Sequence, residues 1–91
     1  MKRTVLWDPA ALAEVEDAFD DCAERSRQAA EAFRSELMVA VERIAERAEA
    51  YPLVDDGVRR CLVGEHPFGV LFSVEDDHVV ILVITRTKGN P

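Results

Sequence analysis

Six consecutive apolar residues, VVILVI at positions 79–84, constrain this chain more than any other feature. Neighbouring residues of a strand point to opposite faces, so such a run is hydrophobic on both. Strands of that kind belong where both faces of a sheet are covered. The remainder of the chain can supply one covering layer, a helical hairpin. A two-layer domain with an apolar face left over reads as a binding module.

The 91 residues fit one domain, spanning 1–91, with a single core. At 48% hydrophobic and 32% charged, the composition is that of an ordered globular chain. Eighteen acidic residues against eleven basic ones give a net charge of −7, which repels a phosphate backbone, so no direct nucleic-acid binding is expected. Cys22 and Cys61 lie in no metal-ligand spacing and read as reduced, buried small residues. The opening MKRTVLW runs straight into Asp8-Pro9 and a charged helix, unlike a secretory signal, and no apolar run approaches the roughly 20 residues of a membrane helix. A cytoplasmic, bacterial-type protein without membrane attachment is expected.

Along the chain, residues 3–7 (RTVLW) form a short β-prone segment that Asp8-Pro9 converts into a helix start, aspartate as N-cap and proline at the first helical position. Leu12, Val15, Phe19 and Cys22 recur at helical spacing, with Ala11, Ala18 and Ala23 widening the stripe. A second stripe runs Phe33, Leu37, Val41, Ile44, Ala48, Tyr51. No glycine or proline separates the two. A single rod from Pro9 to Tyr51 would be roughly 65 Å long, against a radius of gyration of about 12 Å for a domain of this size, so the helix must break. Ser26 is the expected cap of the second helix. Pro52 stops that helix, Asp55-Asp56-Gly57 turns the chain, and three strands follow as an antiparallel meander. The first places Val58, Arg60 and Leu62 on one face and Arg59, Cys61 and Val63 on the other, and the second aligns Phe68, Val70, Phe72 and Val74. The expected fold is α+β, in the order β-α-α-β-β-β, with an antiparallel sheet packed on an α-helical hairpin.

These elements, with YPLVDDGVRRCLV, HPFGVLFSVEDD, VVILVITRTKGNP and the opening VLWDPAALAEVEDAF, resemble the ParE branch of the ParE/RelE toxin superfamily of bacterial toxin–antitoxin modules. Tyr51-Pro52 matches the tyrosine and proline at the end of the second helix. Gly57, Arg59 and Arg60 match a turn followed by paired arginines, and Pro67-Phe68 matches part of an aromatic-proline-aromatic element, with His66 in its first position. Where the family's last strand often ends in histidine, a basic pair, aspartate and proline, this chain has Arg86, Lys88 and Gly89, Asn90 and Pro91. The terminal aromatic that follows in relatives has no counterpart.

The resemblance implies the toxin of a type II plasmid stabilisation module, inhibiting DNA gyrase by protein contact and neutralised by a cognate ParD-like antitoxin. Two alternatives stand beside it: a RelE-type, ribosome-dependent mRNA endoribonuclease, and a degenerate toxin that only binds its antitoxin. RelE-type chemistry needs acid/base groups at a ribose 2′-hydroxyl and cations around the reacting phosphate. The candidates would be Arg59, Arg60, Arg86 and Lys88 with His66 and His78. The histidines read as solvated turn residues at opposite ends of neighbouring strands, so no catalytic residue is assigned. The expected partner-binding residues are Arg59, Arg60, Phe68, Val70, Phe72, Arg86 and Lys88. Arg59 and Arg60, adjacent on a strand, must point to opposite faces, either to protect an edge strand or to pair with a partner's carboxylate. The apolar contacts are either exposed members of Val70, Phe72, Val80 and Leu82 or the opposite set, Leu71, Val79, Ile81 and Val83. An acidic toxin calls for a basic wrapping segment in its antitoxin. Asp17, Asp20, Asp21 and Glu24 read as a solvated helix face, with Asp21 and Arg25 spaced to pair. No metal and no cofactor are expected, because metal-ligand spacing, phosphate loop and nucleotide fingerprint are all missing.

Overall fold

The computed structural model describes residues 2–87. A short strand, β1 (Thr4–Trp7), leads into helices α1 (Pro9–Arg25) and α2 (Arg27–Arg47), followed by a 3-10 turn at Ala48–Ala50. Strands β2 (Leu53–Asp55), β3 (Val58–Leu62), β4 (Phe68–Val74) and β5 (His78–Arg86) complete the chain. The five strands form one sheet in the order β1-β5-β4-β3-β2, so the fold is α+β with the helical hairpin on one face.

The helix boundaries follow the local chemistry. Asp8 caps α1 through its carboxylate, which accepts from Ala10 N at 2.9 Å, and Pro9 begins the first turn. Ser26 closes α1 and opens α2 at once: its own N–H donates to Cys22 O at 3.2 Å while its hydroxyl accepts from Ala29 N at 2.9 Å. One extended residue therefore makes the whole interhelical connection. The second helix ends at Arg47, ahead of the expected stop at Pro52, and tightens into the 3-10 turn before Tyr51.

Two details depart from the expected four-stranded antiparallel sheet. Residues after Pro52 are extended long enough to pair before the Asp55-Asp56-Gly57 turn, adding β2 at the edge. Gly57 has φ +68°, a backbone conformation that a side chain would strain. Strand β1 runs parallel to β5, Thr4 opposite His78 and Trp7 opposite Ile81, so the sheet is mixed. The two intervening helices supply the crossover that parallel pairing requires.

The register corrects the face assignment. Phe72 lies opposite Ile81 and Leu71 opposite Val83, so Leu82 is an extra residue on β5, a β-bulge. Residues Val79, Ile81 and Ile84 thus face the helices together with Val70 and Phe72, while Leu71, Val80, Leu82 and Val83 lie on the other face. Neither apolar set written from strict alternation survives, because the bulge reverses the parity after Ile81.

The core lies between sheet and helices. From α2 come Phe33, Leu37, Ala40 and Ile44, and from the sheet Cys61, Val63, Phe68, Val70, Phe72, Val79, Ile81 and Ile84. Helix α1 contributes the small residues Ala11, Ala18 and Cys22, which let it approach the sheet closely. Its large apolar residues are rotated away: Val15 and Phe19 are half-buried against α2, and Leu12 is exposed. Burying side chains such as Phe33 and Phe72 completely stabilises the fold by about 2–3 kcal/mol each.

Beyond Trp7, β5 has no strand neighbour on the β1 side. There Glu14 of α1 takes the strand's place, its carboxylate accepting from Ile84 N at 2.8 Å. A backbone donor that would otherwise lie at an open edge is satisfied by a helix side chain.

Candidate functional site

The basic residues singled out in the sequence do not form one cluster. Arg59 points to the helix side, where its guanidinium donates to Tyr51 O at 2.6 Å and Glu49 O at 3.3 Å, tying the end of the helical region to the sheet. Its strand is not an edge, because β2 pairs with it. Arg60 is exposed on the face away from the helices. Its stem lies over Gly69, where an added Cβ would meet Arg60 Cγ and Cδ at 3.4 Å. Arg86 is drawn to the helix side by Asp21, its ion-pair partner, and its guanidinium lies 4.9 Å from the centre of the Phe68 ring. Asp21 therefore pairs with Arg86 across the layers, where sequence spacing pointed to Arg25. Lys88 lies outside the described residues.

The aromatic and aliphatic candidates are placed in the core. Phe68, Val70 and Phe72 are 4%, 0% and 0% exposed, because their face of β4 is the one the helices cover. In this structure the three side chains are covered by the helices and do not reach the surface.

The histidines are at opposite ends of the sheet. His66 is in the β3–β4 turn, beside the Phe68–Arg86 pair, and His78 begins β5 beside Val74. The length of β4 separates them, roughly 20 Å. His66 is more than a solvated turn residue: its ring meets Phe33 edge-on, centroids 5.7 Å apart, and its N–H donates to Val63 O at 2.9 Å. Gly64 supplies the positive φ that this turn needs. Asp77 Oδ1 lies 2.8 Å from His78 Nδ1, and that hydrogen bond and charge hold the Asp77 carboxyl below its ordinary value.

Both cysteines are buried and free. Burial pushes the Cys61 thiol above its usual pKa, with the hydrogen bond from Tyr51 and the charge of Arg43 opposing it. Burial likewise raises the Tyr51 hydroxyl, and Cys61 adds to that. Tyr51 meets Phe72 edge-on at 6.1 Å, so this pair of titratable groups sits against the core. Among the described residues no group of three or more His, Cys, Asp and Glu is arranged to hold a metal ion, and no helix is long and apolar enough to cross a membrane.

The most apolar concavity is a groove of about 360 Å³ between the two helices. Val15 and Phe19 line it from α1, and Phe33 and Leu37 from α2. Glu16, Asp20 and Arg34 stand at its rim. The sequence stripes contained these apolar residues without separating Val15 and Phe19, which are partly open, from Phe33 and Leu37, which are core residues at the groove floor. The signal that could have separated them was the set Ala11, Ala18 and Cys22, small residues at spacings of seven and four that mark the sheet-facing line of α1.

Two helices stacked on one face of a mixed sheet, with an open interhelical groove, are the architecture of a small α+β protein. Residues 5–91 match the family described as the ParE toxin of the type II toxin–antitoxin system, parDE, and the chain belongs to that family. The chain is similar in structure to a protein from the chromosomal ParDE toxin–antitoxin system of P. aeruginosa, with a TM-score of 0.76 and 21% identity, over 96% of this chain and 98% of that one. No curated protein is similar enough to match.

Proposed function

We propose that this toxin acts by protein–protein contact, inhibiting DNA gyrase in the cytoplasm, and that a cognate ParD-like antitoxin neutralises it as part of a stabilisation module. The reading rests on family membership together with one observation of geometry: the apolar groove of Val15, Phe19, Phe33 and Leu37 is open, whereas the candidate catalytic groups are dispersed. Arg59 is engaged with backbone carbonyls, Arg86 with Asp21 and Phe68, and the two histidines are a strand's length apart. A ribonuclease would need such groups around one scissile phosphate.

The antitoxin's wrapping segment lies in the interhelical groove as an amphipathic helix. Apolar anchors at i, i+3 and i+4 meet Phe19 and Leu37, and basic residues at its edges meet Glu16 and Asp20. Arg86 borders the acidic side of α1 and contributes a second polar contact. Charge complementarity then gives the segment more basic residues than a neutral toxin would require.

The test is induced expression in a sensitive bacterial host, alone and with the adjacent small reading frame, following growth and the SOS response together. Growth arrest with SOS induction, rescued by the neighbour, supports gyrase inhibition. Arrest without SOS and with codon-dependent message cleavage, lost in Arg60→Ala or Arg86→Ala, identifies the RelE-type endoribonuclease instead. Antitoxin binding without arrest leaves a member that only titrates its partner.

A further inference from the structure

The face of the sheet opposite the helices is apolar across β1, β5, β4 and β3, with the one strand carboxylate, Asp55, at the outer edge beside Val58. Leu6 and Leu62 are 48% and 55% exposed on it, and Leu71, Val80, Leu82 and Val83 are half-buried between them. These residues follow one another across the strands: Leu6 is opposite Val80, Leu71 opposite Val83, and Leu71 again opposite Arg60. The bulge at Leu82 adds Val83 to this face, a residue that regular alternation from Ile81 would have turned inward.

Charge is partitioned just as sharply. Strands β1, β3, β4 and β5 contain no aspartate or glutamate. All eighteen acidic residues lie on helical segments and their caps, in turns, or at the end of β2. Arg60, whose stem runs along Gly69, stands within the apolar set, and Asp55 stands at its β2 edge.

We infer that this face is a self-association surface, covered by the same face of a second copy in a reversible two-fold dimer. Two molecules of charge −7 repel one another in any arrangement that joins their helical layers or turns. Only face to face do the carboxylates, Asp55 at the β2 edge excepted, stay outside while the apolar residues meet. The two sheets would pack about 10 Å apart, leucine and valine side chains interdigitating. Arg60 belongs to the polar rim of such an interface.

Area sets the strength. Five strands about 4.8 Å apart, each contributing about five residues of roughly 3.3 Å, cover about 400 Å² per copy. The pair buries roughly 800 Å² in projection, short of the ~1,200 Å² at which stable complexes begin. A weak, reversible dimer follows. Because the repulsive charge lies off the contact and the contact itself holds no ion pair, added salt screens the repulsion and tightens the dimer. An interface built on ion pairs would respond in the opposite sense.

Sedimentation velocity on the purified full-length chain, from about 5 to 500 µM at ~50 and ~500 mM NaCl, tests this over a range in which screening changes strongly. The expected result is a monomer–dimer equilibrium several-fold tighter at the higher salt. Leu62→Glu, at an exposed position where the fold tolerates charge, should be monomeric throughout, and Leu62→Ser should weaken association at least several-fold with an unchanged melting curve. Val15→Glu, in the interhelical groove, should leave the dimer intact. A wild-type chain that remains monomeric under all conditions overturns the inference. So does a dimer that persists in Leu62→Glu or is lost in Val15→Glu. If hydrogen exchange in the monomeric wild type slows at Leu71 and Val80 only when the antitoxin is added, the antitoxin is the occupant and the second copy is not.

Discussion

The two faces of one sheet meet different demands although they are built from the same residue types. On the helix side, Val70, Phe72, Val79 and Ile81 are fully buried, and the polar groups that come near are held by specific partners: Arg59 by two carbonyls, Arg86 by Asp21 and Phe68. On the open side, leucines and valines of similar size remain partly hydrated, and charge enters only through Arg60 and, at the β2 edge, Asp55. Hydrophobicity alone did not decide which face became the core. The decision fell to the helices, whose small residues on α1 and large residues on α2 fit the profile of one face.

The sharpest way to break that contrast is to truncate matched residues on either side. Phe72→Ala should lower unfolding free energy by about 3–5 kcal/mol, because it leaves a cavity against Tyr51 and the neighbouring core. Leu62→Ala should cost less than about 1 kcal/mol in dilute protein, since that side chain is half exposed already. Urea titrations of both decide the point; equal losses would mean that the open face is part of the core.

Next in size is the edge contact of Glu14. Glu14→Ala removes the acceptor of the Ile84 N–H and should cost about 1.5–3 kcal/mol, whereas Glu14→Gln keeps an acceptor and should cost less. Amide exchange at Ile84 should quicken in the alanine variant while exchange at Val79, deep on the β1-paired part of the strand, changes only with global stability. Ser26→Ala should cost about 1 kcal/mol, the loss of one capping hydrogen bond at the interhelical joint.

The smallest effect is alkaline. Cys61 and Tyr51 are held above their ordinary values in the folded chain, mainly by burial. Above the unfolded thiol's pKa of about 8.5 the unfolded chain loses a proton that the native one keeps, so stability falls as pH rises from there toward the folded value. The Tyr51 contribution enters near pH 10 and has the same sign. Cys61→Val should flatten the first part of this decline in urea titrations between pH 8 and 10. An unchanged slope would assign the decline to other groups.

Much of the fold was legible because it rests on local rules. Asp8-Pro9, the break at Ser26, the turn at Gly57 and the three long strands each follow from a residue's own conformational preferences, and all are present. The parallel seat of β1, the pairing of β2 and the bulge at Leu82 were not legible, since each is decided by a partner distant in sequence. The site suffered for the same reason. One extra residue in β5 changes which side Val83 and Ile84 take, and Arg86 with them. Phe68, Val70 and Phe72 were drawn as contact residues from alternation that was correct, but alternation does not say which face the helices will choose. The groove at Val15 and Phe19 was hidden inside a stripe that treated all apolar helix residues alike.

The pairing of β1 with β5 also bears on how the chain can be made. Among the described residues β1 pairs with β5 alone, more than 70 positions downstream in the chain, and Glu14 waits for an amide 70 positions on. Until the final strand emerges, the nascent chain carries an unpaired β1 and a helical hairpin that lacks the Val79, Ile81 and Ile84 part of the sheet it packs on. The N-terminal half therefore cannot settle first and template the rest. Closure is a late event that requires nearly the whole chain. A translation product halted before residue 78 would hold every helix of the domain but lack β5, the strand that joins β1 to β4, and would be a substrate for proteases more than a fragment with activity.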